Sequence, residues 1–289
     1  MMRIAVVYAT VGRAAVLAPV LHRLQRQTRR PDLVVISAVN PADTAGIDAT
    51  ALSPRVLYGS KGLCAQRNRA LAAVHGLADI VLFLDDDFLP ADDYLAELAA
   101  LFDERPDLVG VDGRVIADGA TNAGYSFDEG VRLLESDVRP APALFDRVAL
   151  YGCNMAIRLA AAEGLTFDER LPFYGWLEDV DFTHRLGKRG TLAKSSRLNG
   201  VHLATKGGRT SGLRFGYSQI ANPLYLMRKG GIPRSLAISQ LLKNVASNAL
   251  RSLRPEPYVD RRGRLRGNLR GFRDLLAARL DPERILSMD

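Results

Sequence analysis

The sequence has few cysteines, few aromatic residues and no long apolar run. Its 289 residues include two cysteines, Cys64 and Cys153, too few for a disulfide scaffold or a cysteine-based zinc site. No uninterrupted apolar run exceeds six residues, whereas a membrane-spanning helix needs about 20. Met1-Met2-Arg3 leads straight into an apolar segment with no signal-peptide pattern, which predicts a protein that stays in the reducing cytoplasm. No G-x-G-x-x-G follows that first segment, and neither G-x-x-x-x-G-K-[ST] nor G-x-S-x-G occurs. Dinucleotide enzymes, P-loop NTPases and elbow-type serine hydrolases are therefore disfavoured. Apolar residues are nonetheless plentiful at 47%, with 25% charged, enough to fill a substantial core and exclude disorder as the main state.

The net charge of +7 is unevenly placed. Between Arg228 and Asp289, 14 basic residues face 6 acidic ones, while the rest of the chain carries 25 basic and 26 acidic residues. A basic tail of this kind suits nucleic acid, an anionic membrane surface or a phosphorylated ligand, or is simply a solvated face.

Apolar runs at Ile4–Ala9, Leu33–Ala38, Arg55–Tyr58, Ile80–Leu84 and Leu108–Val111 read as strands. They alternate with helical patterns at Ala14–Gln27, Leu63–His75 and Asp92–Phe102. Strands apolar on both faces and separated by helices predict a parallel sheet covered on both sides. Residues 1–112 are thus expected to form a nucleotide-binding half. Residues 113–230, irregular and Gly-rich, are expected to form an acceptor-binding and catalytic half of the same domain. Residues 231–289 are expected to be a basic helical extension, with an apolar stripe at Leu265, Leu269, Phe272, Leu276 and Leu280.

Several clusters could carry chemistry. Asp85-Asp86-Asp87 directly follows a strand, at the sheet end where α/β proteins bind ligands. Adjacent carboxylates repel one another unless a cation or strong donors compensate, so a divalent ion clamping phosphates fits here; a polar, helix-capping turn is the plainer alternative. Glu178, Asp179 and Asp181 gather at an expected helix start, where acids are favoured anyway. The apolar lead-in Phe173–Trp176 could desolvate one of them toward general-base use. His202 precedes a Gly-rich basic loop, Lys206–Ser211, suited to a diphosphate; a lone structural histidine is the alternative. Arg67 and Arg69, early in a helix, sit against its dipole and point to an anionic or polar partner.

Together, in chain order, these motifs resemble family 2 glycosyltransferases of the GT-A fold. Thr10 and Arg13 look like that family's Thr-x-x-Arg turn, and Gly62–Asn68 like its Arg-Asn helix. Leu84–Asp87 is similar to its aspartate motif, Leu177–Phe182 to its Glu-Asp motif, and Val201-His202 to its late metal-binding histidine. Phe215–Lys229 resembles the following helix of bacterial rhamnosyl- and galactofuranosyl-type members. The family usually places an acid after the second strand for the nucleobase. This chain has Asn40 there, with Asp43 close by.

The resemblance implies a Rossmann-like α/β sheet and inverting transfer from a UDP- or dTDP-linked sugar to a glycan or lipid-linked acceptor, without nucleic acid. It implies Asp179 as base and Mn²⁺ or Mg²⁺ on Asp87 and His202. Thr10, Arg13, Asn40, Arg67, Asp85 and Asp86 would bind the nucleotide, with Asp85 on the ribose. Trp176 and Glu178 would meet the acceptor. It also implies work at the inner face of a cell membrane, which the tail stripe could contact. The stripe could instead pack on the protein or on a second copy. A metal-dependent nucleotidyltransferase releasing pyrophosphate and a non-catalytic binder of anionic polymers are the competing readings. Tyr258 and Phe272 are the only aromatic residues in the last 39 positions, which argues against base stacking.

Overall fold

The computed structural model describes residues 2–47, 50–206 and 211–288. The chain divides into two compact units. One comprises Met1–Lys61, Ala65–Thr166 and Thr183–Gly208; the other comprises Gly62–Cys64, Phe167–Phe182 and Arg209–Asp289.

The first unit is built on a nine-stranded sheet. Its strands are β1 (Ile4–Ala9), β2 (Leu33–Ala38), β3 (Arg55–Tyr58), β4 (Ile80–Asp85), β5 (Phe88–Pro90), β6 (Leu108–Asp118), β7 (Leu144–Asp146), β8 (Asn154–Arg158) and β9 (Thr191–His202). The order is β3-β2-β1-β4-β8-β6-β9-β5, with β7 added on β9. Helices α1 (Ala14–Leu24), α2 (Leu63–Val74), α3 (Tyr94–Glu104) and α4 (Phe127–Glu135) alternate with the strands, and α5 (Glu178–Leu186) precedes β9. Four strands, β1 to β4, run parallel. Their residues are almost all buried, which is why they read as unbroken apolar runs.

The expected parallel sheet is a mixed one. β8 enters antiparallel between β4 and β6, and β5 and β7 run antiparallel to β9. The stretch after residue 113, irregular in sequence, still contributes regular strands and helices. β6 continues to Asp118 and pairs in parallel with the twelve-residue β9. β9 was concealed because its polar run is a bulge: pairing jumps from Gly113↔Ser195 to Arg114↔Asn199. Such an excursion interrupts the alternation that marks a strand.

The second unit contains α6 (Gly212–Arg228), α7 (Arg234–Arg251) and α8 (Arg261–Leu276). Glycines bring α6 and α8 together. A methyl group at Gly216 would run into the Arg264 backbone, and one at Gly267 into the backbone of Leu213 and Tyr217. Buried amides tie the three helices: Asn268 Nδ2 donates to the Gly216 carbonyl (2.7 Å), and Asn248 Nδ2 donates to Asn268 Oδ1 (2.9 Å) and Gln219 Oε1 (2.8 Å). The buried face of α8 is thus Gly263, Gly267, Asn268, Gly271 and Asp274.

The stripe, for which membrane contact and packing were both open, divides between the surface and the interior. Leu269 is 61% exposed and Leu276 88%, while Phe272 and Leu280 are partly buried. No helix among the described residues is long and apolar enough to cross a membrane.

Backbone-to-backbone packing has no room for a side chain, so Gly216→Ala should destabilise the full-length protein by about 2 kcal/mol or more. Leu276→Ser, at an exposed position, should stay within about 0.5 kcal/mol. Urea denaturation of both variants checks the pair.

Candidate active site

The site begins where the parallel strands end. β1 lies between β2 and β4 and is followed by α1, so the crevice beyond β1 and β4 lies at a topological switch point, where such sheets bind ligands. Asp85, the last residue of β4, is level with Ala9 at the end of β1. The chain then turns into β5, whose Phe88 pairs with His202 at the end of β9. The same histidine is level with Asp118 at the end of β6. Three strand ends therefore deliver Asp85, Asp87, Asp118 and His202 to one place.

Ligand atoms of Asp85, Asp87 and His202 all lie within 4.8 Å of one another. His202 Nε2 is 3.6 Å from Asp85 Oδ2 and 3.5 Å from Asp87 Oδ1. Its Nδ1 faces Asp118 Oδ1 at 2.9 Å, and the Tyr151 hydroxyl donates to Asp118 Oδ2 at 3.1 Å. A carboxylate on one ring nitrogen that leaves the other for an ion is the usual arrangement around a metal-binding histidine. Two carboxylates and an imidazole suit Mn²⁺ well and Mg²⁺ less so.

Positive groups compensate the acids. Arg13 pairs with Asp86 through Nη1 (3.0 Å) and with Asp87 through Nη2. Thr10 Oγ1 donates to Asp86 at 2.7 Å. Arg67 donates to the Gly152 carbonyl (2.8 Å) and reaches Asp85 at 3.5 Å. Burial pushes the Asp85 carboxyl up against the pull of His202 and Arg67. Burial also pushes Asp86 up to about 7, although Arg13 and Thr10 oppose it. Asp87 is just as buried, yet its hydrogen bond with His202 and the charge of Arg13 hold it well below the usual range. Burial alone would lower His202; its bonds to Asp118 and Asp87 win and raise it to about 10.

Other candidates have defined places. Asn40 is exposed and caps a 3₁₀ turn, accepting from Ala42 N at 3.0 Å. Asp43 is buried, and its carboxylate accepts from the Gly12, Val39 and Asn40 amides at 2.7, 3.0 and 3.0 Å. It pins the loops after β1 and β2. Arg69 donates to Ser37 Oγ (2.9 Å) and the Ser60 carbonyl (3.1 Å). Its expected external partner is thus replaced by internal acceptors, because the loop after β3 folds back over the helix.

Trp176, Glu178 and Asp179 belong to the second unit. Phe173, Gly175 and Leu177 all take left-handed backbone angles (φ 58°, 63° and 72°), which costs about 1 kcal/mol or more for each non-glycine. That bend sets up the first turn of α5: Glu178 N donates to the Gly175 carbonyl and Asp181 N to that of Leu177. Asp179 Oδ1 accepts from Val180 N (2.8 Å), leaving it half-buried beside buried Glu178. Trp176 packs edge-on against Phe215 at 5.3 Å, and its Nε1 is buried without a hydrogen-bond partner among the described residues. The basic loop after His202 lies, for residues 207–210, outside the described residues.

Asp118 and Tyr151 were missed by sequence reasoning because each stands alone in its motif, and only the β6–β9 pairing brings Asp118 to the histidine.

Residues 5–140 match the family described as glycosyl transferase family 2. Over this stretch the chain is similar to that family, and its mixed sheet with flanking helices is the GT-A architecture.

Solved structures show the same fold. The mannosyltransferase PcManGT from Pyrobaculum calidifontis, in complex with GDP-Man and Mn²⁺, is 16% identical, covers 99% of this chain and 78% of its own, and has a TM-score of 0.58. S. aureus TarS 1-349 is 17% identical, with coverages of 99% and 83% and a TM-score of 0.59. Glucosyl-3-phosphoglycerate synthase from Mycobacterium tuberculosis, with Mn²⁺, uridine-diphosphate and glucosyl-3-phosphoglycerate, is 20% identical, with coverages of 81% and 82% and a TM-score of 0.53. No curated protein matches this chain in sequence.

A metal-ligating imidazole must be neutral, so a His202 held protonated to about pH 10 has to release that proton when an ion binds. Raising the pH removes this competition. Mn²⁺ affinity should therefore increase from pH 6 to 9, by up to about tenfold per unit for one proton. Asp118→Asn should weaken Mn²⁺ binding about 10- to 100-fold by releasing the imidazole's orientation. Calorimetric Mn²⁺ titrations across pH check both.

Proposed function

We propose that the protein is an inverting, metal-dependent glycosyltransferase that moves a sugar from a nucleoside-diphosphate carrier to an acceptor hydroxyl. The observation that carries this reading is the Asp85–Asp87–His202 cluster at the carboxyl end of β4, whose two aspartates lie within the segment that matches the family. Mannosyltransferase PcManGT with GDP-Man and Mn²⁺ supports a nucleotide-sugar donor and the choice of ion.

Asp87 and His202 hold the ion, with Asp85 as a third ligand beside its sequence-expected contact to the ribose. When bound, the divalent cation neutralises charge on the departing diphosphate. Arg13 and Thr10 fix Asp86 at the edge of this cluster, and Arg67 sets the orientation of Asp85. Asn40, at the exposed rim after β2, meets the nucleobase. Asp179 accepts the proton of the acceptor hydroxyl as its oxygen bonds to the anomeric carbon. The bond from that carbon to the diphosphate oxygen breaks with its electron pair, and attack from the opposite face inverts the configuration. Glu178 and Trp176 position the acceptor, the indole offering an apolar face to a sugar ring.

The acceptor class we favour is a surface glycan or a lipid-linked glycan reached at an anionic membrane surface. Exposed Leu269 and Leu276, beside a row of arginines on the outer side of α8, support this site of action.

Release of nucleoside diphosphate should be observed from a panel of UDP-, dTDP- and GDP-sugars with Mn²⁺, and lost with chelator; pyrophosphate release from a nucleoside triphosphate would overturn the reading. Asp179→Asn should abolish transfer while changing donor affinity less than about threefold, since its role lies with the acceptor. Asp87→Ala and His202→Ala should each weaken Mn²⁺-dependent nucleotide binding at least about tenfold. Their effects should not add in the double variant, because both serve one ion.

A further inference from the structure

α8 and the segment after it form a pocket that the glycosyl-transfer reading does not use. Its volume is about 400 Å³, within the size of small-ligand sites. Arg270, Arg273, Arg279 and Arg284 line it with a single acid, Asp274, and with Leu269 at its edge. Asp274 is almost completely buried and organises two of the four arginines. Its Oδ1 accepts from Arg279 Nε (3.0 Å) and its Oδ2 from Arg284 Nε (2.7 Å), with the Tyr217 hydroxyl donating to Oδ2 from below. Both guanidinium groups are thus held through Nε, and their bonds to Asp274 use none of the Nη groups. Arg270 and Arg273, nearly a turn apart on α8, add two further charges from the other wall. Four guanidinium groups against one buried carboxylate make a forked, positively charged recess, and guanidinium forks match the oxygens of a phosphate in pairs.

The surroundings say more about the ligand. At about 100° per residue, Leu265, Leu269, Phe272 and Leu276 fall on one half of the outer face of α8, and Arg262, Arg266, Arg270 and Arg273 on the other. The glycine face opposite is buried against α6. An anionic head in the pocket would therefore lie beside an exposed apolar strip.

We propose that this arginine pocket is a phosphate-binding site that takes a phosphoryl group, either free or at the head of an amphiphile whose apolar part lies along Leu269 and Leu276. The inference deepens the membrane reading given above but does not need it, because a soluble phosphate satisfies the same pocket.

The test uses the full-length protein with EDTA present, so that Asp85, Asp87 and His202 hold no ion. Inorganic pyrophosphate is titrated calorimetrically into the wild type, Arg270→Gln/Arg273→Gln and Arg262→Gln/Arg266→Gln. The last removes the same charge from the same helix face outside the pocket. A pocket site predicts at least tenfold weaker binding for the first double variant and less than threefold for the second. Equal weakening in both, or no binding by the folded wild type, overturns the proposal, the first outcome reducing it to general surface charge.

Co-sedimentation with phosphatidylglycerol-containing vesicles, against pure phosphatidylcholine vesicles, then identifies the source. If vesicle binding falls with Arg270→Gln/Arg273→Gln and with Leu269→Ser/Leu276→Ser, a lipid phosphate occupies the pocket. If the wild type binds pyrophosphate but ignores vesicles, the site takes a soluble phosphate and the membrane reading fails alone.

Discussion

Three successive carboxylates at the end of a buried strand cannot all remain ionised unless positive charge is held against them. Much of the first unit's connectivity meets this constraint. Arg13 comes from the turn after β1 and reaches Asp86 and Asp87, Arg67 comes from α2 and reaches Asp85, and His202 comes from the far strand β9 and reaches Asp85 and Asp87. The response is uneven. Asp86 is pushed up to about 7, while Asp87, with both Arg13 and His202 on it, is held low. An entering divalent ion would meet in Asp87 a carboxylate held ionised, and in His202 a proton that it must displace. Arg13 and protonated His202 supply in its absence part of the charge that the ion itself would bring, which lets the strand end fold before any ligand is present.

The geometry that serves this constraint depends on β8 being antiparallel. Inserted between β4 and β6, it spaces the parallel half of the sheet from the β6–β9 pair. The long β9 then returns its end to β5, and the Asp87 carbonyl accepts from Leu203 N (2.9 Å) just past His202. Thr205 N donates to Asp87 Oδ2 at the same distance, with Ala204 between them in a left-handed conformation. The backbone after the histidine is thus fastened to the aspartate it works with. A strained residue held between two such bonds is a local cost that surrounding structure must over-determine.

The parallel half was legible because period and burial agree there. Ile4–Ala9, Leu33–Ala38 and Arg55–Tyr58 are strands over their full expected lengths, and the acids after Ile80–Leu84 sit at the ligand-binding end. The antiparallel half was not. β8 is five residues long, β7 three, and β9 is interrupted by its own bulge, so none presents a clean alternation. Within the site, motif residues were legible and their orienting partners were not. Asp118 and Tyr151 are placed by strand pairing and loop closure, long-range events with no local signature. Asp43 illustrates the reverse. An acid near the expected base-binding position is spent on three backbone amides, because a buried loop must satisfy its N–H groups before it can offer any to a ligand.

The tail shows where hydrophobic periodicity misleads. A leucine stripe on a helix ordinarily marks its buried face, but α8 buries glycines. Without a Cβ at Gly216, Gly267 and Gly271, the backbones of α6 and α8 approach too closely for leucine to fit between them. Close backbone contact and the Asn248–Asn268–Gln219 amide network supply the cohesion instead. Where small residues alternate with arginines on three- and four-residue spacings, two faces compete for the interior, and the one allowing closer approach wins when buried amides can bridge it. The displaced leucines and the arginines beside them are then left facing outward together, and the amphipathic surface of α8 is a consequence of how its glycines pack.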